Sequence, residues 1–198
     1  MINKIGISTM IFFFTMVITN AQTNEMEKLP YHEIPDYPAE FNSATVIARL
    51  IDGLGFRYYW ATEGLRESDL QFKPNDDART SQETIDHIYN LSKVIVNTSL
   101  NKANKVKSEE VVNFAEKRKK TLENFKTAAD IFRNSSDVSE FKIVFERENG
   151  SSEFPFWNQI NGPISDAIWH CGQIVLLRRS SGNPFNANAS VFTGKVRE

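Results

Sequence analysis

The residues of this chain best suited to chemistry are His87 and the run Asp166-Ala-Ile-Trp-His170. On a helix, side chains four apart project from nearly the same face, about 6 Å apart along the axis, so a carboxylate and an imidazole at that spacing can reach one cation. An inward histidine from a neighbouring helix completes three ligands and leaves coordination positions open, the arrangement of a catalytic rather than a closed structural site. Mixed nitrogen and oxygen donors suit zinc, nickel, iron(II) and manganese. By spacing alone the same residues read equally as a hydrogen-bonded Asp–His pair beside a satisfied core histidine. Gln173, one turn past His170, reads either as a group that orients a ligand or bound water, or as a helix-packing hydrogen bond. Trp157, Trp169 and Tyr58 read as core aromatics, with the lining of a pocket as the alternative. Cys171 is the only cysteine in the chain. It has no partner for an internal disulfide and reads as a small core hydrophobe rather than a nucleophile.

Helices must hold these groups. In residues 43–65, Ile47, Leu50, Ile51, Leu54, Tyr58 and Ala61 recur at the three- and four-residue steps of one helical face. Gly53 and Gly55 interrupt that face, each costing roughly 1 kcal/mol relative to alanine, which points to a neighbouring helix in close approach or to a bend. A second helix opens on Thr80-Ser81-Gln82-Glu83, a capping box, runs to about residue 100, and carries His87 inward early in its length. A third spans 108–132. Residues 141–157 are not helical: Phe141 to Phe145 have strand character and Asn149-Gly150 is a tight-turn signal, so a short β-hairpin is expected in a long crossover. The fourth helix starts near Pro163, placed as the first helical residue, and Gly182 and Pro184 stop it. The expected fold is therefore all-α, an antiparallel four-helix bundle with a long crossover before its last helix. A tail at 183–198 is expected to pack back through Phe185, Val191 and Phe192.

A histidine early in the second helix, then a ligand-x-x-x-His-x-Gly-Gln sequence in the fourth, resembles the DinB/YfiT-like superfamily of metalloproteins. The matching pieces are Thr84-Ile85-Asp86-His87-Ile88-Tyr89 and Asp166 to Gln173, followed by Arg178-Arg179 and Gly182-Asn183-Pro184. With the order of the helices, the resemblance covers about residues 43–184. It implies an antiparallel bundle carrying a divalent metal ion, zinc or nickel first and iron or manganese next, on His87, Asp166 and His170. Most of that family has histidine where this chain has Asp166, and an aspartate makes the site one negative charge richer, favouring harder metals. The resemblance implies transferases and isomerases that use low-molecular-weight thiols, together with members of no assigned activity. For an exported chain a metal-dependent hydrolase of a small molecule is the more natural expectation, with a non-catalytic metal- or ligand-binding protein as the alternative.

Export is read from the first residues. Lys4 is the only charge before Glu25, residues 5–18 are an apolar stretch, and Thr19-Asn20-Ala21 is a small-residue cleavage site. The stretch is short for a membrane span, which needs about 20 apolar residues, so no stable membrane anchoring is expected after cleavage. This divides the chain into a signal peptide at 1–21, an extended arm at 22–41 containing three prolines and a surface His32, and the helical domain at 42–198. A net charge of −2 with 24% charged residues sets aside nucleic acid as a partner. The basic run Lys117 to Lys120 reads as one solvated helix face. The partner expected is a small molecule, and the chain is compatible with a homodimer.

Overall fold

The first long helix begins where its sequence supplies a cap. In the computed structural model, which describes residues 28–105 and 112–198, the Asn42 side chain accepts from the Thr45 amide and the Thr45 hydroxyl accepts from the Asn42 amide, and α1 follows over Ser43–Thr62. The expected leader and its cleavage site lie outside the described residues, as do residues 108–111 of the expected third helix. After a short α2 at Glu67–Leu70, the capping box forms as read: the Glu83 carboxylate accepts from the Thr80 amide at 2.7 Å, and α3 spans Ser81–Ser99. Strand β1 (Asn104–Lys105) precedes α4 (Phe114–Arg133), which Asn113 caps. Strands β2 (Lys142–Arg147) and β3 (Gly150–Pro155) lead to α5 (Trp157–Gln159), a π-helical stretch at Ile160–Ile164, and α6 (Ser165–Ser180). Strands β4 (Ala189–Ser190) and β5 (Lys195–Val196) close the chain.

The four long helices pack in a ring, α1 and α3 each against both α4 and α6. Their buried faces supply Ile51, Leu54, Ile88, Phe125 and Ile174 to one core. The expected all-α class is nevertheless wrong, and so is the plain four-helix bundle: about 53% of the described residues are helical, and two sheets are built among them. In the larger, β2 and β3 pair antiparallel with Ile143 opposite Phe154, and β1 joins β2 in parallel with Asn104 opposite Phe145. A two-residue strand has no periodicity to read. What recruits it is a side chain: Asn104 donates to the Val144 carbonyl at 3.0 Å and accepts from Asn97 of α3 at 2.9 Å. The smaller sheet is the β4–β5 hairpin.

The start of the last helical run also differs from expectation. Helix begins at Trp157, and Pro163 lies inside the π stretch rather than at a first helical position. Proline offers no N–H and its ring crowds the carbonyl four residues back. A π turn relieves that conflict, and at its end the Ile160 carbonyl accepts from the Ser165 amide and, at 2.6 Å, from the Ser165 hydroxyl. The arm is held rather than loosely extended. Tyr31, at φ 72°, is buried, and its ring occupies the space a Cβ on Gly55 would need, within 2.6 Å. The close approach that Gly55 permits is thus made by the arm, not by another helix.

Candidate metal centre

Two elements bring the chemistry-bearing residues together. On α3, Asp86 is tied to Lys117 of α4 and accepts from Gln82, while the next residue, His87, faces α6. On α6, Asp166 and His170 stand one turn apart just beyond the π stretch, a kind of helix irregularity frequent at functional sites. Asp166 lies between the two imidazoles. One carboxylate oxygen is 2.9 Å from His87 Nε2, the other 3.2 Å from His170 Nε2, and the rings of His87 and His170 meet edge to face at 4.6 Å. A ligand atom from each of the three residues lies within 4.8 Å of the other two. His170 is the most enclosed, its side chain 12% exposed, while His87 and Asp166 are 34% and 35% exposed, so the group opens to solvent on one side.

Gln173 is an exposed residue whose carboxamide oxygen stands 2.7 Å from His170 Nδ1. It therefore does not serve helix packing; it engages the far side of a triad ring. An amide oxygen only accepts, so it suits a protonated Nδ1 and leaves Nε2 as the nitrogen that faces Asp166. Nε2 and the Asp166 oxygen stand 3.2 Å apart, a separation that either a proton or a shared cation can bridge.

The other residues singled out from sequence fall elsewhere. His32 is half-buried between Tyr59 and Trp60, with ring centroids 5.6 and 5.1 Å away, and is not the surface residue expected. Tyr58 is wholly inside the core, and burial raises its hydroxyl's pKa. Trp157 and Trp169 are neither core nor buried lining: both side chains are exposed. Cys171 is buried, and burial pushes its thiol up to about 12, which leaves it protonated and inert at neutral pH. The run Lys117 to Lys120 is not one solvated face. Lys117 is paired with Asp86, Arg118 is buried against Thr62, Tyr59 and Glu63, and Lys119 and Lys120 pair with Glu123 and Glu116. Two surface hollows, one along residues 28–33 and one between the arm and Arg133 to Ser136, contain none of the triad residues.

Comparison of the chain with protein-family models, with curated proteins and with solved structures returned no match. The reading of the site therefore rests on its own geometry.

Proposed function

We propose that the chain holds one divalent metal ion on His87, Asp166 and His170, and that it acts as a metal-dependent hydrolase or transferase on a small molecule. The donor set fits. Two imidazole nitrogens and one carboxylate suit zinc, nickel or manganese, and are also the ligand set of open-sided iron(II) sites. Ligand atoms around a tetrahedral ion with bonds of about 2.0–2.1 Å stand roughly 3.4 Å apart, and here one ligand atom from each residue lies within 4.8 Å of the other two, so that small side-chain rotations would gather them round an ion. The observation that carries the reading is the convergence of ligand atoms from His87, Asp166 and His170 within 4.8 Å of one another, with Gln173 at the far nitrogen of His170. When bound, a divalent ion polarises a substrate oxygen and brings the pKa of water toward neutrality. His87, Asp166 and His170 serve as ligands and not as acid or base. Gln173 sets the tautomer of His170, and the exposed side of His87 and Asp166 admits substrate.

The test is metal content and affinity in protein purified without chelator or histidine tag. About one ion per chain is expected, with titrations covering zinc, nickel, manganese and iron(II). The His87→Ala, His170→Ala double variant should lose that ion while His32→Ala keeps it. Equal metal content in wild type and the double variant would end the proposal. One tightly held ion without turnover on esters, amides or phosphoesters would favour the binding-protein alternative.

A further inference from the structure

The outward face of a helix in a packed domain is ordinarily polar. That of α6 is polar at Ser165, Gln173, Arg179 and Ser180 but is broken by two large apolar side chains. Trp169, 72% exposed, and Leu176, 63% exposed, lie in a stripe with Ser165, Gly172 and Ser180, which Asn161 of the π stretch precedes. Across residues 157–176 Asp166 is the only Asp, Glu, Lys or Arg, in a chain of which 24% is charged. Depletion of charge with enrichment of tryptophan is the composition of a protein–protein interface core. Gly172 adds a second anomaly. It sits inside the helix at roughly 1 kcal/mol relative to alanine, yet a Cβ there would meet open space, so the chain's own packing does not call for it.

The stripe is its own complement. About the point midway between His170 and Cys171, Trp169 is the mirror position of Gly172, Leu176 of Ser165, and Ser180 of Asn161. Two such stripes laid antiparallel set each large apolar side chain against a small residue. We propose that this face of α6 docks on the same face of a second copy about a twofold axis, with Trp169 seated over the partner's Gly172. The contact is isologous and closes at two copies. Helix axes pack 8–10 Å apart, and a glycine opposite is what admits an indole at that separation. Trp157, in α5 at the head of the same helical run, is likewise 74% exposed. Trp169 and Leu176 are the apolar centre of the face, and the roughly 800 Å² that a standard interface takes from each partner includes the polar residues around them. A membrane-surface face would carry Lys or Arg along its flanks. Here Arg178 is buried and Arg179 lies over the Phe185 ring. Asp166 and His170 stand about a quarter turn off the stripe, so the twofold leaves both triads uncovered, on one side of the pair. Metal binding and pairing are therefore separable.

Sedimentation of the purified full chain at about 100 μM should give twice the chain mass, a range in which a standard interface is populated. Trp169→Glu and Leu176→Glu should each weaken self-association by about 100-fold, with circular dichroism unchanged. Phe192→Glu, at a 97% exposed aromatic off the stripe, should not. Register is read by cross-linking in a Cys171→Ala background: Ser165→Cys with Leu176→Cys should form an interchain disulfide on mild oxidation, and Ser165→Cys alone should not. A monomeric wild type overturns the proposal, as does a dimer indifferent to both glutamate substitutions. A monomer that floats with phosphatidylglycerol vesicles in a Trp169-dependent way overturns it in favour of a lipid surface.

Discussion

Asp166 presents one oxygen to each histidine, so a change at this residue alters both contacts at once. If it is a ligand, Asp166→His keeps the metal, because imidazole reaches a shared centre from the same helical position, whereas Asp166→Ala leaves two histidines and an open face. Gln173 tests the same geometry from outside. Gln173→Leu should lower affinity by about 10–100-fold at unchanged stoichiometry, since the ring of His170 loses the group that fixes its proton. Calorimetric zinc and nickel titrations decide; indistinguishable affinities for wild type and Asp166→Ala would remove Asp166 from the site. The four-residue step between Asp166 and His170 was legible in the sequence, and the helix carrying His87 could be placed by its capping box. That Gln173 turns outward to hold His170 could not be read, because a glutamine one turn on has the same spacing whether it packs or orients.

Element by element, legibility follows length. The long helices announce themselves by apolar periodicity over four or more turns, whereas α2, β1, β4 and β5 are too short to show any. The β2–β3 hairpin was readable from Asn149-Gly150 and the strand character before it, but β1 joins through the Asn104 side chain, a contact without a pattern. Pro163 misled because proline marks a helix start more often than a π turn. Segment 66–78 is polar in sequence, yet its α2 carries Asp69, wholly buried, which ties α2 to the end of α6. The Asp69 carboxylate accepts from the Arg66 guanidinium at 2.8 and 2.9 Å, from the Ser181 hydroxyl at 2.6 Å and from the Asn183 amide at 2.7 Å. Arg66 first, then Ser181 and Asn183, hold this carboxyl well below the usual carboxylate range. Its stabilisation is therefore complete above the unfolded value near pH 4 and is lost as pH falls through the folded one. Asp69→Asn should cost about 2–3 kcal/mol at pH 7. In urea unfolding the gap to wild type should narrow below about pH 4; a gap independent of pH would refute this account.

At the scale of the whole molecule, the leader read from Lys4, residues 5–18 and Ala21 leads us to propose export, with Gln22 as the first residue of the mature protein. Mass spectrometry of native protein recovered outside the cytoplasm should find that terminus. Intact Met1 in a soluble cytoplasmic fraction would count against it. No described helix is long and apolar enough to cross a membrane. The arm at residues 28–41 is fastened at both its faces. Tyr31 donates to Asp52 of α1 at 3.2 Å, Trp60 donates to the His32 carbonyl at 3.1 Å, the Ile34 amide donates to the Gly194 carbonyl at 3.0 Å, and the Glu33 carboxylate accepts from the Val196 amide, 163 residues away, at 2.9 Å. A domain whose two ends hold each other cannot be finished before its last residues are made. While the C-terminal hairpin is still unsynthesised the arm has only half its partners, and closing so long a loop comes late because its entropy must be lost before any contact rewards it. The nascent chain is thereby kept from closing until the residues of the β4–β5 hairpin have been made.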